Sequence, residues 1–442
     1  MNETIIQVND ALWGYVLTGA LVLCGIWFTL KTKGVQFRMI GEMFRLLADS
    51  ATSGTSGLDD SNKRHKHISS FQAFAVSVAT RVGTGNLAGV ATAIAIGGPA
   101  YYISKGLHHK GMALLYAILI TLTFGLSYNS IQSNTICGAM QEAFGWSPLV
   151  VGVILSAMAL IIVFGGIHRI ANVSAVLVPL MAIGYFILVV VIILMNIEHI
   201  PHVMKVIVTN AFGFEQGVGG TLGATILIGV KRGLFSNEAG EGRAPNVAAT
   251  ATVSHPVKQG LIQALGVFTD TLLVCSCTAF VILISDLYEN PELNGIALTQ
   301  AALDSEIGNA GPIFIAVAIL LFAFSSIIGN YYYGEANIRF ITSNKTALTL
   351  YRLLSGGVVV MFGAMASLDL EWSVGDLFMA LVTACNLVAI ITLGKYVFKL
   401  LDDYLDQKRR GIKEPTFHRG KLPEIERDIE CWESEKKMKI EN

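Results

Sequence analysis

An all-α polytopic membrane protein is the fold class this chain predicts, and three observations carry it. The 442 residues are 53% hydrophobic and only 14% charged, with a positive mean hydropathy that an ordinary soluble domain of this size does not show. About ten apolar runs recur along the chain, each near the roughly 20 residues that a helix needs to cross the hydrocarbon core. One of those runs is interrupted by Arg81-Val-Gly-Thr-Gly-Asn86-Leu-Ala-Gly89, three glycines and an Asn with no other charge nearby.

Taken in order, residues 12–30 form the first run. They follow a polar opening without a basic n-region, so they read as a span and not as a cleavable signal peptide. Residues 71–99 hold the glycine break. Runs at 111–140, 149–179 and 180–197 follow, then 217–235, 260–285, 311–334, 352–368 and 375–400. The remainder is charged and contains Pro415 and Pro423, which divides the chain into a transmembrane domain, 1–401, and a solvated, partly helical cytoplasmic tail, 402–442.

Short loops rich in Lys and Arg face the cytoplasm. Lys31, Lys33, Arg38, Arg45, Lys63, Arg64 and Lys66 place the first loop inside and the N-terminus outside. His168 with Arg169, Lys231 with Arg232, the group Arg339, Lys345 and Arg352, and finally Lys408 to Arg410 mark further inside segments. The acidic stretches Asp286 to Glu292 and Asp369 to Glu371 fall outside. One place breaks the alternation: Ser104 to Lys110 belongs inside, yet the run at 71–99 starts inside and must exit. Either that run is re-entrant or a span is missing, and half of a single run is too short to cross, which favours a missing span.

Composition also excludes classes of function. The net charge of -1 gives no basic field for nucleic acid. The six cysteines are scattered, and the nearest pair, Cys275 and Cys277, lies inside an apolar run, so neither a disulfide framework nor a metal centre is expected. No paired Asp, Ser/Lys or His/Glu set points to an intramembrane enzyme.

Three stretches carry a resemblance: Val82-Gly-Thr-Gly-Asn-Leu-Ala-Gly-Val-Ala-Thr-Ala-Ile-Ala-Ile-Gly-Gly-Pro99, Lys231-Arg-Gly-Leu-Phe-Ser-Asn-Glu-Ala-Gly-Glu-Gly242 and Phe322-Ala-Phe-Ser-Ser-Ile-Ile-Gly-Asn-Tyr-Tyr-Tyr-Gly-Glu335. With these, and with the tail around Glu430-Cys-Trp432, the chain resembles the alanine or glycine:cation symporters of bacteria and archaea, often called sodium:alanine symporters. Similar members have eleven spans, with a whole span and a cytosolic loop between one Gly-Gly-Pro and a second Gly-Gly-Pro-Ala-Tyr-Tyr. Here Gly97-Gly-Pro99 runs straight into Ala100-Tyr101-Tyr102, at the place where the charge alternation fails. The resemblance implies a LeuT-like inverted five-plus-five repeat preceded by an extra helix at 12–30. Core helix one is then 71–99, core helix six is 217–235, core helix eight ends in Tyr331 to Gly334, and core helix two is absent. It further implies a secondary active transporter in the bacterial inner membrane, a monomer importing alanine, glycine or serine with sodium as the coupling ion and no other cofactor. The competing expectation is an internally deleted, transport-incompetent member of the same family.

A zwitterion out of bulk water needs donors for its carboxylate and acceptors for its ammonium. At the start of a half-helix the amides of Gly83, Thr84 and Gly85 suit the carboxylate. Freed carbonyls, the Asn86 side chain and the Thr80 and Thr84 hydroxyls suit sodium, although the same glycines would also serve close helix packing. Ser325 and Ser326 are adjacent hydroxyls in an apolar run; the resemblance implies a sodium role, and back-bonding to the preceding turn is the alternative. Asn330, one turn on, is the candidate for the substrate amine. Arg81 reads as a latch to Glu238 or Glu241, with a substrate carboxylate as the other partner. Asp270 reads as a cap on Thr269 or Thr271, Glu335 as a boundary residue, and Phe235 to Gly240 as the cytosolic end of core helix six, an inner gate or an ordinary turn.

Overall fold

The computed structural model describes residues 2–52, 69–80, 99–211, 229, 232–233, 236, 238, 240–290, 292–293, 295–365 and 368–429. Among them the secondary structure is helical, with seven helices long and apolar enough to cross a membrane and a shorter apolar one, Pro148–Val163. The chain is therefore a multi-pass membrane protein. The glycine break at 81–98, and with it Gly83, Thr84, Gly85 and Asn86, lies outside the described residues.

Helix α1 comprises Asn2–Ala11 and Thr18–Lys31, joined by a π-helical turn at Leu12–Leu17. It runs parallel to the last helix, α13 (Leu368–Arg409). Asn9 Nδ2 donates to the Ser373 carbonyl at 2.9 Å, and Trp27 and Phe28 pack on Phe398 at 5.5 and 5.8 Å between ring centres. A left-handed pair, Lys33 and Gly34, turns the chain toward α2 (Ile40–Thr52), which buries Met43 and Leu46. Glu42 of α2 accepts from Arg45 at 2.7 Å and from the Tyr404 hydroxyl at 2.7 Å, with Lys408 Nζ at 3.1 Å. The hydrogen-bonded Arg45 guanidinium, above all, holds its carboxyl down at about 2. Helix α3 (Ser70–Thr80) opens with a reciprocal box, Ser69 N to Gln72 Oε1 at 2.9 Å and Gln72 N to Ser69 Oγ at 3.1 Å.

Helix α4 (Lys110–Phe144) is capped by His109 Nδ1 on the Met112 amide at 3.0 Å and ends at Gly145, whose φ of +68° only glycine adopts without cost. Pro148 opens α5 (Pro148–Val163) and the Gly165-Gly166 pair closes it. Helix α6 (Gly166–Met195) then carries Pro179 in its interior. The two runs expected at 149–179 and 180–197 are thus divided near 165: two glycines, the second at φ +70°, make the turn that the proline does not. There follow α7 (Ile200–Ala211), α8 (Arg243–Ala248), α9 (Pro256–Ile284), α10 (Gly295–Ile307), α11 (Ala310–Ile341) and α12 (Lys345–Gly363).

Contacts sort the helix ends into two faces. On one, the Arg352 guanidinium lies 5.6 Å over the Phe164 ring, Gln72 bonds Asn172 at 2.7 Å, and Tyr101 meets Phe340 at 5.0 Å. This face gathers residues 33–52, the Arg169 turn, the Arg339 and Arg352 segment, the end of α13 and, beside Tyr101, the turn at Ser104 to Lys110. At the other face, Asn9 and Trp13 meet Ser373 and Asp376. Arg232 belongs with this second group, because its guanidinium reaches Asp376 at 2.8 Å and lies 4.8 Å over Trp372. The expectation that Lys231 and Arg232 mark a loop at the basic face is therefore corrected for Arg232: a buried acid and an indole satisfy it, so it need not reach that face. Lys231 lies outside the described residues.

The tail is also not merely solvated. Helix α13 continues through 401 to Arg409, and the chain then folds back with Phe417, Leu422, Ile425 and Ile429 buried in the main core. Phe417 N donates to the Ser254 carbonyl at 2.9 Å, Gln407 clamps Thr416 through both amide groups at 2.8 and 2.9 Å, and Lys258 pairs with Glu414. At the centre His255 is fully buried, accepting from Val257 N through Nδ1 at 3.2 Å and facing Asp403 through Nε2 at 3.4 Å.

Candidate functional site

A cavity of about 180 Å³ lies where α3, α4, α6, α9 and α11 converge. Its walls are mostly apolar, and its polar groups come from separate elements: Gln132 and Thr135 of α4, Ser236, Arg243, Asp270 of α9, and Ser326 and Asn330 of α11. That composition, apolar walls with a few convergent polar groups, is the usual make-up of a small-molecule site.

Two of the three expected α11 residues line it. Asn330 is 1% exposed, and its Oδ1 has no hydrogen-bond partner among the described residues. An unused buried carbonyl acceptor costs free energy unless something donates to it, which an ammonium can do. Ser326 also lines the cavity, with its hydroxyl given to the Phe322 carbonyl at 3.1 Å. Ser325 is buried outside the cavity wall and gives its hydroxyl to the same carbonyl at 2.8 Å. Both serines thus back-bond to the preceding turn, the alternative weighed for them, but a hydroxyl that spends its one proton this way keeps lone pairs for a cation. Thr80 ends α3, where only its backbone is described.

Asp270 has a long-range partner that its neighbours in sequence do not suggest. It is 5% exposed, faces the cavity, and accepts from the Ser236 hydroxyl at 2.8 Å, a residue 34 positions away. The neighbouring Thr269 hydroxyl goes to Leu265 O at 3.1 Å, so of the two hydroxyls expected for Asp270 to cap, Thr269 is turned elsewhere. Asp270 stands in the first turn of a π-helical segment, Thr269–Cys275, within α9. Ser236 lies 3.1 Å from Cys275 Sγ as well, which brings that cysteine to the edge of the site.

A second break lies just beyond Ser236, described at Glu238 and from Gly240 onward. Glu238, Gly240 and Gly242 have φ of +58°, +79° and +83°. A Cβ on Gly242 would come within 2.6 Å of the Tyr116 hydroxyl, so glycine is required there for space as well as for conformation. Two carbonyls of the break are taken up, Glu241 O by the Tyr116 hydroxyl at 2.8 Å and Gly240 O by Asn386 Nδ2 at 2.7 Å. Asn386 is held in turn by the Tyr102 hydroxyl. At the start of α8, Arg243 is 2% exposed and pairs with Glu238 at 2.7 Å and Glu241 at 2.5 Å. Its guanidinium lies 4.3 Å over Phe124 and 5.0 Å over Tyr128. The latch expected between Arg81 and these two glutamates therefore has Arg243 in it; Arg81 lies outside the described residues. Of the stretch expected as a cytosolic helix end, an inner gate or a turn, Ser236 lines the central cavity. The signal missed was Gly240-Glu-Gly242, a second glycine break of the kind singled out at 83–89.

Comparison with known proteins bears on the same residues. The profile of the sodium:alanine symporter family matches residues 1–99 and again 95–419. Its two matched pieces overlap at the residues where the missing span was inferred. The chain is 46% identical to the probable sodium/glutamine symporter GlnT of Bacillus subtilis, over 96% of this chain and 94% of that one. It is 42% identical to the amino-acid carrier protein AlsT of the same organism, over 98% of each. It is 31% identical to the sodium/alanine symporter AgcS of Methanococcus maripaludis, over 88% of this chain and 94% of that one. The GlnT alignment runs over 465 positions against a chain of 442 residues, so at least 23 positions have no counterpart here. This chain belongs to the sodium:alanine symporter family.

Proposed function

We propose that the chain imports a small neutral amino acid, alanine with glycine and serine as further substrates, driven by sodium through alternating access. The observation that carries this reading is the unused Asn330 carbonyl, set with Asp270 and Ser326 in one cavity. An ammonium would be received by Asn330 Oδ1 and the Asp270 carboxylate, while the amides of Gly83, Thr84 and Gly85 would receive the substrate carboxylate. Sodium would be held by Thr80, Thr84, Asn86, Ser325 and Ser326, an all-oxygen set suited to a hard cation. The inverted repeat, the monomeric state, an inner-membrane location and an outside N-terminus belong to the same proposal, and the basic face described above would then be cytoplasmic.

A second substrate is favoured by two observations. Gln132 and Thr135 place an amide and a hydroxyl in the cavity wall, and the GlnT relative is named for glutamine. Uptake of labelled alanine into vesicles, with and without a sodium gradient and with unlabelled glutamine as competitor, tests both. Gradient-dependent uptake supports the transporter; strong competition by glutamine moves the preference to that substrate. Background uptake under every gradient leaves the internally deleted, transport-incompetent protein.

A further inference from the structure

A second, larger recess of about 460 Å³ lies away from the amino-acid cavity, between the middle of α4, the end of α12 and the start of α13. Leu126, Val358, Phe362 and Phe378 make its walls apolar. Its polar groups are the hydroxyls of Ser127 and Ser130 and the carboxyl of Glu371. Glu371 is 8% exposed. The Ser130 hydroxyl donates to its Oε1, and its Oε2, like the Ser127 hydroxyl, is buried with no hydrogen-bond partner among the described residues.

Among the described residues, no neighbouring charge rescues the anion. Residues 122–130 and 353–363, which form the facing walls, contain no charged residue. On its own helix, Asp376 is engaged with Arg232 and Asp369 is another acid; on α1, Asp10 is exposed. Tyr128 supplies the one phenol nearby on α4, and a phenol does not compensate a carboxylate. The start of α13 favours an anion through its dipole, but one hydroxyl and a helix end fall short of the desolvation cost of a carboxylate among apolar side chains.

We propose that Glu371 is a proton-binding site separate from the amino-acid cavity, held as a neutral carboxylic acid that ties α13 to α4. The proton comes from the aqueous face at which α13 begins. When it leaves, the resulting carboxylate is unsupported, the Ser130 contact is pulled toward water, and α13 parts from α4. Ser130 stands two positions from Gln132 and five from Thr135, both in the cavity wall on the same helix. Loss of the proton therefore disturbs the amino-acid cavity, and transport slows as the pH rises through the titration of Glu371. This consequence for transport rests on the proposed function; the protonation state does not.

The infrared spectrum of the purified protein at neutral pH separates the two. The wild type shows a protonated carboxyl band that is lost in Glu371→Gln, and in Ser130→Ala the band moves to higher frequency because the carbonyl has lost its donor. In reconstituted vesicles, the alkaline decline of uptake seen with the wild type is lost in Glu371→Gln, which cannot ionise. Identical carboxyl bands in the wild type and Glu371→Gln, or no shift in Ser130→Ala, overturn the site. A correct infrared result with an undiminished alkaline decline in Glu371→Gln overturns its role in transport.

Discussion

Arg243 and Asn330 both line the central cavity and are 2% and 1% exposed, yet they are treated in opposite ways. Arg243 is met by two carboxylates and two aromatic faces, and two carbonyls of the break beside it are taken up by Tyr116 and Asn386. Asn330 keeps an acceptor that no described group uses. A membrane protein must satisfy broken backbone internally, so the saturated region is a structural joint. The under-satisfied region is where a ligand would complete the bonding.

Removing the cation should give the largest effect. Arg243→Ala leaves two buried carboxylates without their shared counter-charge, a loss of about 3–5 kcal/mol for a buried pair. Little folded protein should be recovered, read as a collapsed melting transition and as aggregation in size-exclusion chromatography in detergent. A variant that melts like the wild type would mean that the glutamates have enough other support and that Arg243 is free to serve the substrate.

Asp270→Asn should behave in the opposite manner. The amide still accepts from Ser236, so melting is preserved. The lost charge-assisted bond to the ammonium, worth roughly 1.5–3 kcal/mol, raises the apparent KM for alanine by about 10- to 100-fold. Unchanged KM with lowered stability would reassign Asp270 to the structural side of the comparison.

How much of this was readable from the chain differs between the two regions. The apolar runs, the polar face of α11 and the anomaly at 97–102 follow from hydropathy, helical spacing and charge alternation, all local properties. The Asp270–Ser236 bond was not legible because it joins residues 34 positions apart, on a π-helical turn that no fixed period reveals. Arg232 was misplaced because charge counting assumes that every Arg belongs to a cytoplasmic loop, whereas this one is paired with Asp376 on α13. The buried tail was missed because its apolar residues, Phe417, Leu422, Ile425 and Ile429, are spread among charges that satisfy partners on α9 and α13.

The smallest effect is expected at that tail, a second saturated region. Burial, opposed by Asp403, pushes the His255 imidazole below its ordinary value of 6.5. The unfolded chain therefore binds the proton more readily, so stability is intact above about pH 6.5 and falls as the pH drops below it. Protonation also places a hydrogen on Nδ1, which now accepts from Val257 N. His255→Asn keeps the cap and cannot ionise, so its melting temperature should fall less than that of the wild type between about pH 7 and about pH 5. Equal falls would remove His255 as the cause.

The most direct test of the central claim is sodium-driven alanine uptake by the wild type and by Asn330→Ala in the same vesicles. Uptake by the wild type should require the gradient. In Asn330→Ala the apparent KM should rise by about 5- to 10-fold, as for one lost hydrogen bond, with the melting temperature unchanged. An unaltered KM in a folded variant would contradict the assignment of this cavity to the amino acid.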